Sequence, residues 1–368
     1  MKMNRRDYLT ATGIVFGGAV IGLTSVRADE PLTPARTRLS LNENPFGPSP
    51  RAIAAIRGLS SELCRYSDAE ADVLTPAIAT HEDVAADQIV LGEILPDLGR
   101  QLAKDGPRGG EFVYSEPGYT ALVNAVGPLG GVVVGVPLDK NLENDLPAIA
   151  AKVNAQSRAI YLVNPHNPSG TVSDAATFTS FVREMSKRTL VIVDEAYLEF
   201  EPDFDQRSVV GETRAGRNVV VFRTFGKIYG LAGLSVGYAI APKPLAAALK
   251  ASKIGTPDTL TRPALVAAAA SLRDPDYVVS TRIKVVAERS KWNDLVDGLG
   301  LRRSDSRGNF VFFQTGRPHG DVTQALSAKG IEIGRAFAPY DDWVRISIGL
   351  PAENALARAA IANLLRKS

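Results

Sequence analysis

Between residues 68 and 250 the chain alternates short continuous apolar runs with stretches whose apolar positions recur at helical spacing. The runs at 89–91, 111–114, 131–134, 159–163, 190–193 and 219–222 are mostly rich in Val, Ile and Leu and predict strands. Runs without polar interruption belong to strands buried on both faces, as in a parallel sheet between helical layers. The pattern therefore predicts an α/β fold, a large domain whose mostly parallel central sheet is covered by helices. Upstream, residues 29–50 are Pro-rich and polar and read as an extended arm, with a helical pattern at 51–59. After Pro257 the pattern changes to one long helical tract, 262–299, then a strand at 309–314, a helix from Gly320, a strand at 343–348 and a terminal helix. That mixture predicts a smaller α+β domain. The expected division is an arm at 29–64, a large domain at 65–256 and a small domain at 257–368.

Composition narrows the chemistry. A net charge of +2 gives no general attraction for nucleic acid or an acidic membrane surface. Cys64 is the only cysteine, so no intrachain disulfide can form, and His81, His166 and His319 lack any spacing that suits a metal. No metal is expected. Residues 1–28 read as a separate segment: Arg5 and Arg6 precede a Gly-rich, mildly apolar stretch, and Ala28 supplies a small residue suited to cleavage. This layout is that of a twin-arginine-type signal peptide and predicts export to the periplasm. The apolar stretch is shorter than the roughly 20 residues a spanning helix needs. No stable membrane span is expected in the mature protein, an N-terminal anchor being the alternative.

In parallel α/β sheets reactive groups gather at the carboxyl ends of the strands. Three such ends run into polar sequence: Asn164-Pro165-His166-Asn167 and onward to Thr171, Asp194-Glu195-Ala196-Tyr197, and Arg223-Thr224-Phe225-Gly226-Lys227. Taken singly, each also reads as a turn or a helix cap. Together they bring an amide, a carboxylate, a phenol and a lysine to successive strand ends, the set that a pyridine-aldehyde cofactor requires.

Ordered motifs then carry a resemblance. Leu41-Asn42-Glu43-Asn44-Pro45-Phe46-Gly47-Pro48-Ser49-Pro50 and Arg65-Tyr66-Ser67-Asp68 precede the three strand ends, and Val344-Arg345-Ile346-Ser347-Ile348-Gly349 follows them. Over essentially the whole mature chain the sequence resembles the histidinol-phosphate aminotransferase branch of fold-type I pyridoxal-phosphate (PLP) enzymes. The resemblance implies transamination of an amino acid with a 2-oxo acid through a Schiff base at Lys227, which would also shuttle a proton as general base and acid. It implies Asp194 on the pyridine nitrogen, Asn167 and Tyr197 on the phenolic oxygen, and Tyr119 stacked on the ring. Thr224 and Ser235 fall at the phosphate sub-site, with Tyr66 reaching it across the interface of a two-fold homodimer. Arg345 would grip the substrate carboxylate, Arg335 a second acidic group, and Asn44 belongs to the same substrate set.

The departures from the family fall on that phosphate sub-site. The family places a Gly-Ser pair after the strand that here ends at Leu91, where helix N-terminal amides bind phosphate. This chain runs Gly92-Glu93-Ile94-Leu95-Pro96 instead, and Pro96 has no N–H to offer. The usual serine before the lysine is Gly226, and the usual arginine eight residues after it is Ser235. The catalytic set is retained while cofactor retention reads as weakened. Two other readings stay open: a different PLP reaction on the same fold (decarboxylation, racemisation or elimination), and a pseudoenzyme that uses the cleft for binding alone.

Overall fold

The computed structural model describes residues 36–59 and 63–366. The expected signal segment at 1–28 lies outside them. Eleven strands appear among the described residues: β1 (Thr37–Leu39), β2 (Ile89–Leu91), β3 (Glu111–Glu116), β4 (Val132–Pro137), β5 (Ser157–Val163), β6 (Leu190–Asp194), β7 (Val219–Thr224), β8 (Gly237–Ile240), β9 (Phe310–Gln314), β10 (Ile331–Ile333) and β11 (Trp343–Ser347). Seven form one sheet in the order β2-β8-β7-β6-β5-β3-β4. The run from β7 to β4 is parallel throughout. β8 is antiparallel to both β7 and β2 and was not expected from the sequence. It is only four residues long and begins with glycine, so it carries little strand signal.

The central strands explain themselves by alternation. Ile160, Leu162, Val191, Val193, Val219 and Val221 pack into one core. Their neighbours Tyr161, Val163, Ile192, Val220 and Phe222 pack into a second. Side chains with a period of two feed two opposite faces, so both positions of the alternation must be apolar. Edge strand β4 is the exception, with Val132 and Val133 exposed. Helices cover the sheet, and aspartates start two of them: Asp145 accepts from the Ala148 N–H at 3.0 Å and Asp174 from the Thr177 N–H at 2.9 Å.

The C-terminal part combines the antiparallel pair β9–β11 with the parallel pair β1–β10, which takes its first strand from the arm. The expected continuous helix at 262–299 is two helices, Arg262–Leu272 and Pro275–Gly298. Pro275 opens the second, since a proline ring fits the first helical turn but ends a helix that tries to run through it. The helix at Pro50–Arg57 packs on Arg262–Leu272. Among the described residues no helix is long and apolar enough to cross a membrane, and no cluster of His, Cys, Asp and Glu could hold a metal.

Candidate active site

The carboxyl ends of β5, β6 and β7 converge, and each contributes polar groups. Asp194 ends β6 with 2% of its surface exposed. One carboxylate oxygen accepts from the Ala196 N–H at 3.0 Å and the other from the Tyr161 hydroxyl at 3.1 Å. Burial pushes its pKa up from 3.8 to about 7, against the opposing pull of those bonds and of Lys227. A carboxyl in this condition gains most from a cationic partner.

Tyr197, three residues on, is a junction. Its hydroxyl accepts from the side-chain amides of Asn167 and Asn42, each at 3.2 Å. Phe310 meets its ring edge-on at 5.2 Å. Asn167 is held by a loop in which the His166 N–H donates to the Thr171 carbonyl at 2.8 Å and the Gly170 N–H to the His166 carbonyl at 2.6 Å. Gly170 has φ +73°, and a Cβ there would meet the Ser306 hydroxyl at 2.0 Å, so only glycine lets this loop close on its neighbour. Asn42 was not singled out from the sequence. Its signal is an asparagine in a Pro-rich arm, taking the left-handed φ of 55° that this residue type tolerates.

Lys227 sits in the turn after β7. Its Nζ donates to the Leu41 carbonyl at 3.4 Å and lies 5.6 Å from the centre of the Tyr197 ring. The Gly226 N–H donates to Thr224 Oγ1 at 2.9 Å, and the Gly230 N–H to the Lys227 carbonyl at 2.9 Å. Asn44, expected on the substrate, is committed elsewhere. Its amide donates to the Ile228 carbonyl at 2.8 Å and its oxygen accepts from the Phe46 N–H at 3.0 Å. It ties the arm to the lysine turn, and the asparagine that reaches into the cluster is Asn42.

Arg345, central in β11, is 7% exposed. It donates to Asn167 Oδ1 at 2.6 Å and to the Ser40 carbonyl at 2.9 Å, while its Nε is buried without a hydrogen-bond partner. Among the described residues no carboxylate pairs with it. Burial lowers its pKa, and the nearby charge of Arg335 pushes the same way. Arg335 is exposed, and its guanidinium lies 4.2 Å from the ring centre of Phe337, with that of Arg345 at 5.0 Å from the same ring. Tyr119 is 44% exposed, and its pKa is pushed up to about 12 by burial and then by Asp194 and Glu93, which puts it beside these carboxyls. Tyr66 stands apart at the surface, 88% exposed.

The other end of the cleft holds Glu93. Its carboxylate accepts a short hydrogen bond from the Thr224 hydroxyl. The residue as a whole is open to solvent, yet protein crowds the carboxyl and burial raises its pKa, opposed by Thr224 and Lys227. Ser235 takes a left-handed conformation, φ 47°, and lines with Glu93 a cavity of about 410 Å³. These residues fit the ring of PLP: buried Asp194 for a cationic ring nitrogen, Tyr197 and Asn167 for the phenolic oxygen, Lys227 for the aldehyde. The phosphate end fits less well, because its threonine already serves a carboxylate.

The family model for aminotransferase class I and II matches residues 36–361. The histidinol-phosphate aminotransferase of Limosilactobacillus fermentum is 34% identical over 90% of this chain and 91% of its own length. Histidinol-phosphate aminotransferase 2 of Pseudomonas fluorescens is 35% identical over 90% of this chain and 89% of its own. The crystal structure of the histidinol-phosphate aminotransferase from Sinorhizobium meliloti in complex with pyridoxal-5'-phosphate superposes with a TM-score of 0.80 at 31% identity, covering 90% of this chain and 91% of that one. On these matches, spread over nearly the whole described chain, it belongs to the class I and II aminotransferases, the PLP-dependent transaminases of fold type I.

Proposed function

We propose that this aminotransferase moves the amino group of an amino acid to a 2-oxo acid, with Lys227 as the residue that carries the cofactor and the proton. The observation that supports it is Arg345, a buried guanidinium with an orphaned Nε and no carboxylate partner among the described residues, joined through Asn167 to the Tyr197 junction beside Lys227. A buried cation left unpaired by its own protein is a seat for an anionic ligand, and a planar guanidinium suits a carboxylate. PLP, when bound, supplies an aldehyde that captures an amine and a ring that draws electrons from the bond to be broken. The chain's own work is then positional. Asp194 anchors the ring end, Asn167 and Tyr197 fix the cofactor's phenolic side, and Arg345 orients the donor. The Lys227 amine takes up and returns the migrating proton.

The relatives' names make histidinol phosphate the competing donor, and the second cation, Arg335 across Phe337, favours a substrate with a further anionic group. The exposed Tyr66 supports a two-fold homodimer in which that residue serves the neighbouring cleft. The Arg5-Arg6 segment supports export by the twin-arginine route.

The test compares the full chain with Lys227→Ala after addition of PLP and borohydride. Mass spectrometry should place the trapped cofactor on Lys227 in the parent and nowhere in the variant, with turnover lost by at least about 10³-fold. Trapping at another lysine would sink the assignment. Amino acids and histidinol phosphate, each screened with a 2-oxo acid acceptor, then identify the donor.

A further inference from the structure

The acidic residue at the cofactor's phosphate end is built in rather than incidental. Glu93 follows the buried end of β2 by two residues and precedes the 11-residue helix Leu95–Asp105. Its carboxyl takes the hydroxyl proton of Thr224, the last residue of β7. On the far side lies Gly237, the first residue of β8, where a Cβ would stand 3.0 Å from Glu93 Oε1. The Gly92 N–H donates to the Gly237 carbonyl at 2.7 Å, so the turn carrying Glu93 is pinned to the strand it leans on. A carboxylate thus sits in a fitted recess between a hydroxyl donor and a bare backbone.

Lys227 and Thr224 are three residues apart on one turn. A cofactor captured by Lys227 would present its phosphate to the groups around that turn, where Thr224 offers a hydroxyl beside that of Ser235. A threonine hydroxyl has one proton to give. If Glu93 holds it, a phosphate gains no donor there and meets a like charge at contact distance, which is repulsive in a cleft of reduced dielectric.

We propose that Glu93 is a specificity-determining residue of the cofactor site: its carboxylate holds the Thr224 hydroxyl in place of the cofactor's phosphate, so the protein discriminates weakly between PLP and its dephosphorylated aldehyde, pyridoxal. The proposal rests on Lys227 as the capturing residue. Ring recognition by Asp194, Tyr197 and Asn167 is common to both aldehydes, so the influence of Glu93 on the Asp194 charge falls on both alike. Only the phosphate contribution is reduced.

The experiment titrates cofactor-free full-length protein with PLP and with pyridoxal, reading both dissociation constants by absorbance. The parent is compared with Glu93→Gln and Glu93→Ser, each checked for parental melting temperature. The parent should bind the two aldehydes within about tenfold of each other. Both variants should tighten PLP by at least about tenfold while leaving pyridoxal within about threefold, since one charge-assisted contact is worth one to two decades. Equal PLP affinity in parent and variants, or equal shifts for both aldehydes, overturns the proposal while leaving Lys227 intact. Binding of only one aldehyde by the parent likewise overturns the proposal alone, whereas failure of both aldehydes to bind parent and variants alike overturns the Lys227 reading and this proposal with it.

Discussion

Two buried arginines, Arg223 near the end of β7 and Arg345 at the centre of β11, live opposite lives in the same molecule. Arg223, 3% exposed, donates to Glu82 at 3.1 Å, to Glu195 at 3.0 Å and to the Ser208 hydroxyl at 2.8 Å, and Tyr238 donates to the same Glu82 oxygen. Burial alone would depress its pKa, but the two carboxylates outweigh it and hold it well above the usual guanidinium range. Arg345 is almost as buried, has only neutral partners among the described residues, and its pKa is lowered. The difference separates a cation that the fold has satisfied from one that it has kept for a ligand. Burial does not distinguish structure from function here, but the presence of a counter-charge does.

Breaking the satisfied arginine should have the largest effect. Arg223→Met leaves Glu82 and Glu195 buried without their cation, and stability should fall by about 3–5 kcal/mol, read by denaturant unfolding. A loss under about 1 kcal/mol would erase the contrast. Arg345→Met should leave stability within about 1 kcal/mol, because removal of a costly charge offsets two lost hydrogen bonds. Its kcat/KM should nevertheless drop by roughly one to two decades. Equal damage to folding in both variants would show that Arg345 too is structural.

Asp194 sharpens the comparison from the acidic side. Its folded pKa of about 7 lies above the ordinary carboxyl value of 3.8, so the cofactor-free fold holds its proton more tightly than the unfolded chain. Its contribution to stability is therefore present below about pH 4 and lost as pH rises towards 7. Asp194→Asn should raise the melting temperature of the cofactor-free protein by a few degrees at pH 8, change it little at pH 4, and lose activity. Calorimetry at the two pH values checks this, and an equal shift at both would remove Asp194 as the titrating group.

Much of the site was legible because it follows strand ends. The apolar runs located β5, β6 and β7, and the polar residues after them, Asn167, Asp194, Tyr197, Thr224 and Lys227, fall where a parallel sheet delivers its chemistry. Arg345 was legible as a charge inside an apolar strand. Partners contributed from far along the chain were not. Asn42 reaches Tyr197 across 155 positions and Glu93 reaches Thr224 across 131, while Arg223 and Glu82 are separated by 141. Such pairings depend on how the sheet orders its strands, which periodicity along one segment does not encode. Asn44 and Asn42 show the same limit at close range. They are two residues apart in one motif, and only backbone conformation decides which amide faces the lysine turn and which the phenol.

The hydroxyl of Tyr197 carries a consequence in its valence. A phenol oxygen has two lone pairs and one hydrogen. Arg345 on one side and Ser347 on the other fix both asparagine amides so that each points an N–H at this oxygen, and both lone pairs are spoken for. The hydrogen is what remains. Whatever meets Tyr197 from the cleft must therefore arrive as an acceptor, and a group that could only donate would find no one to receive it. The polarity of this contact is written into the protein as a one-way grammar, settled by hydrogen bonds among its own side chains.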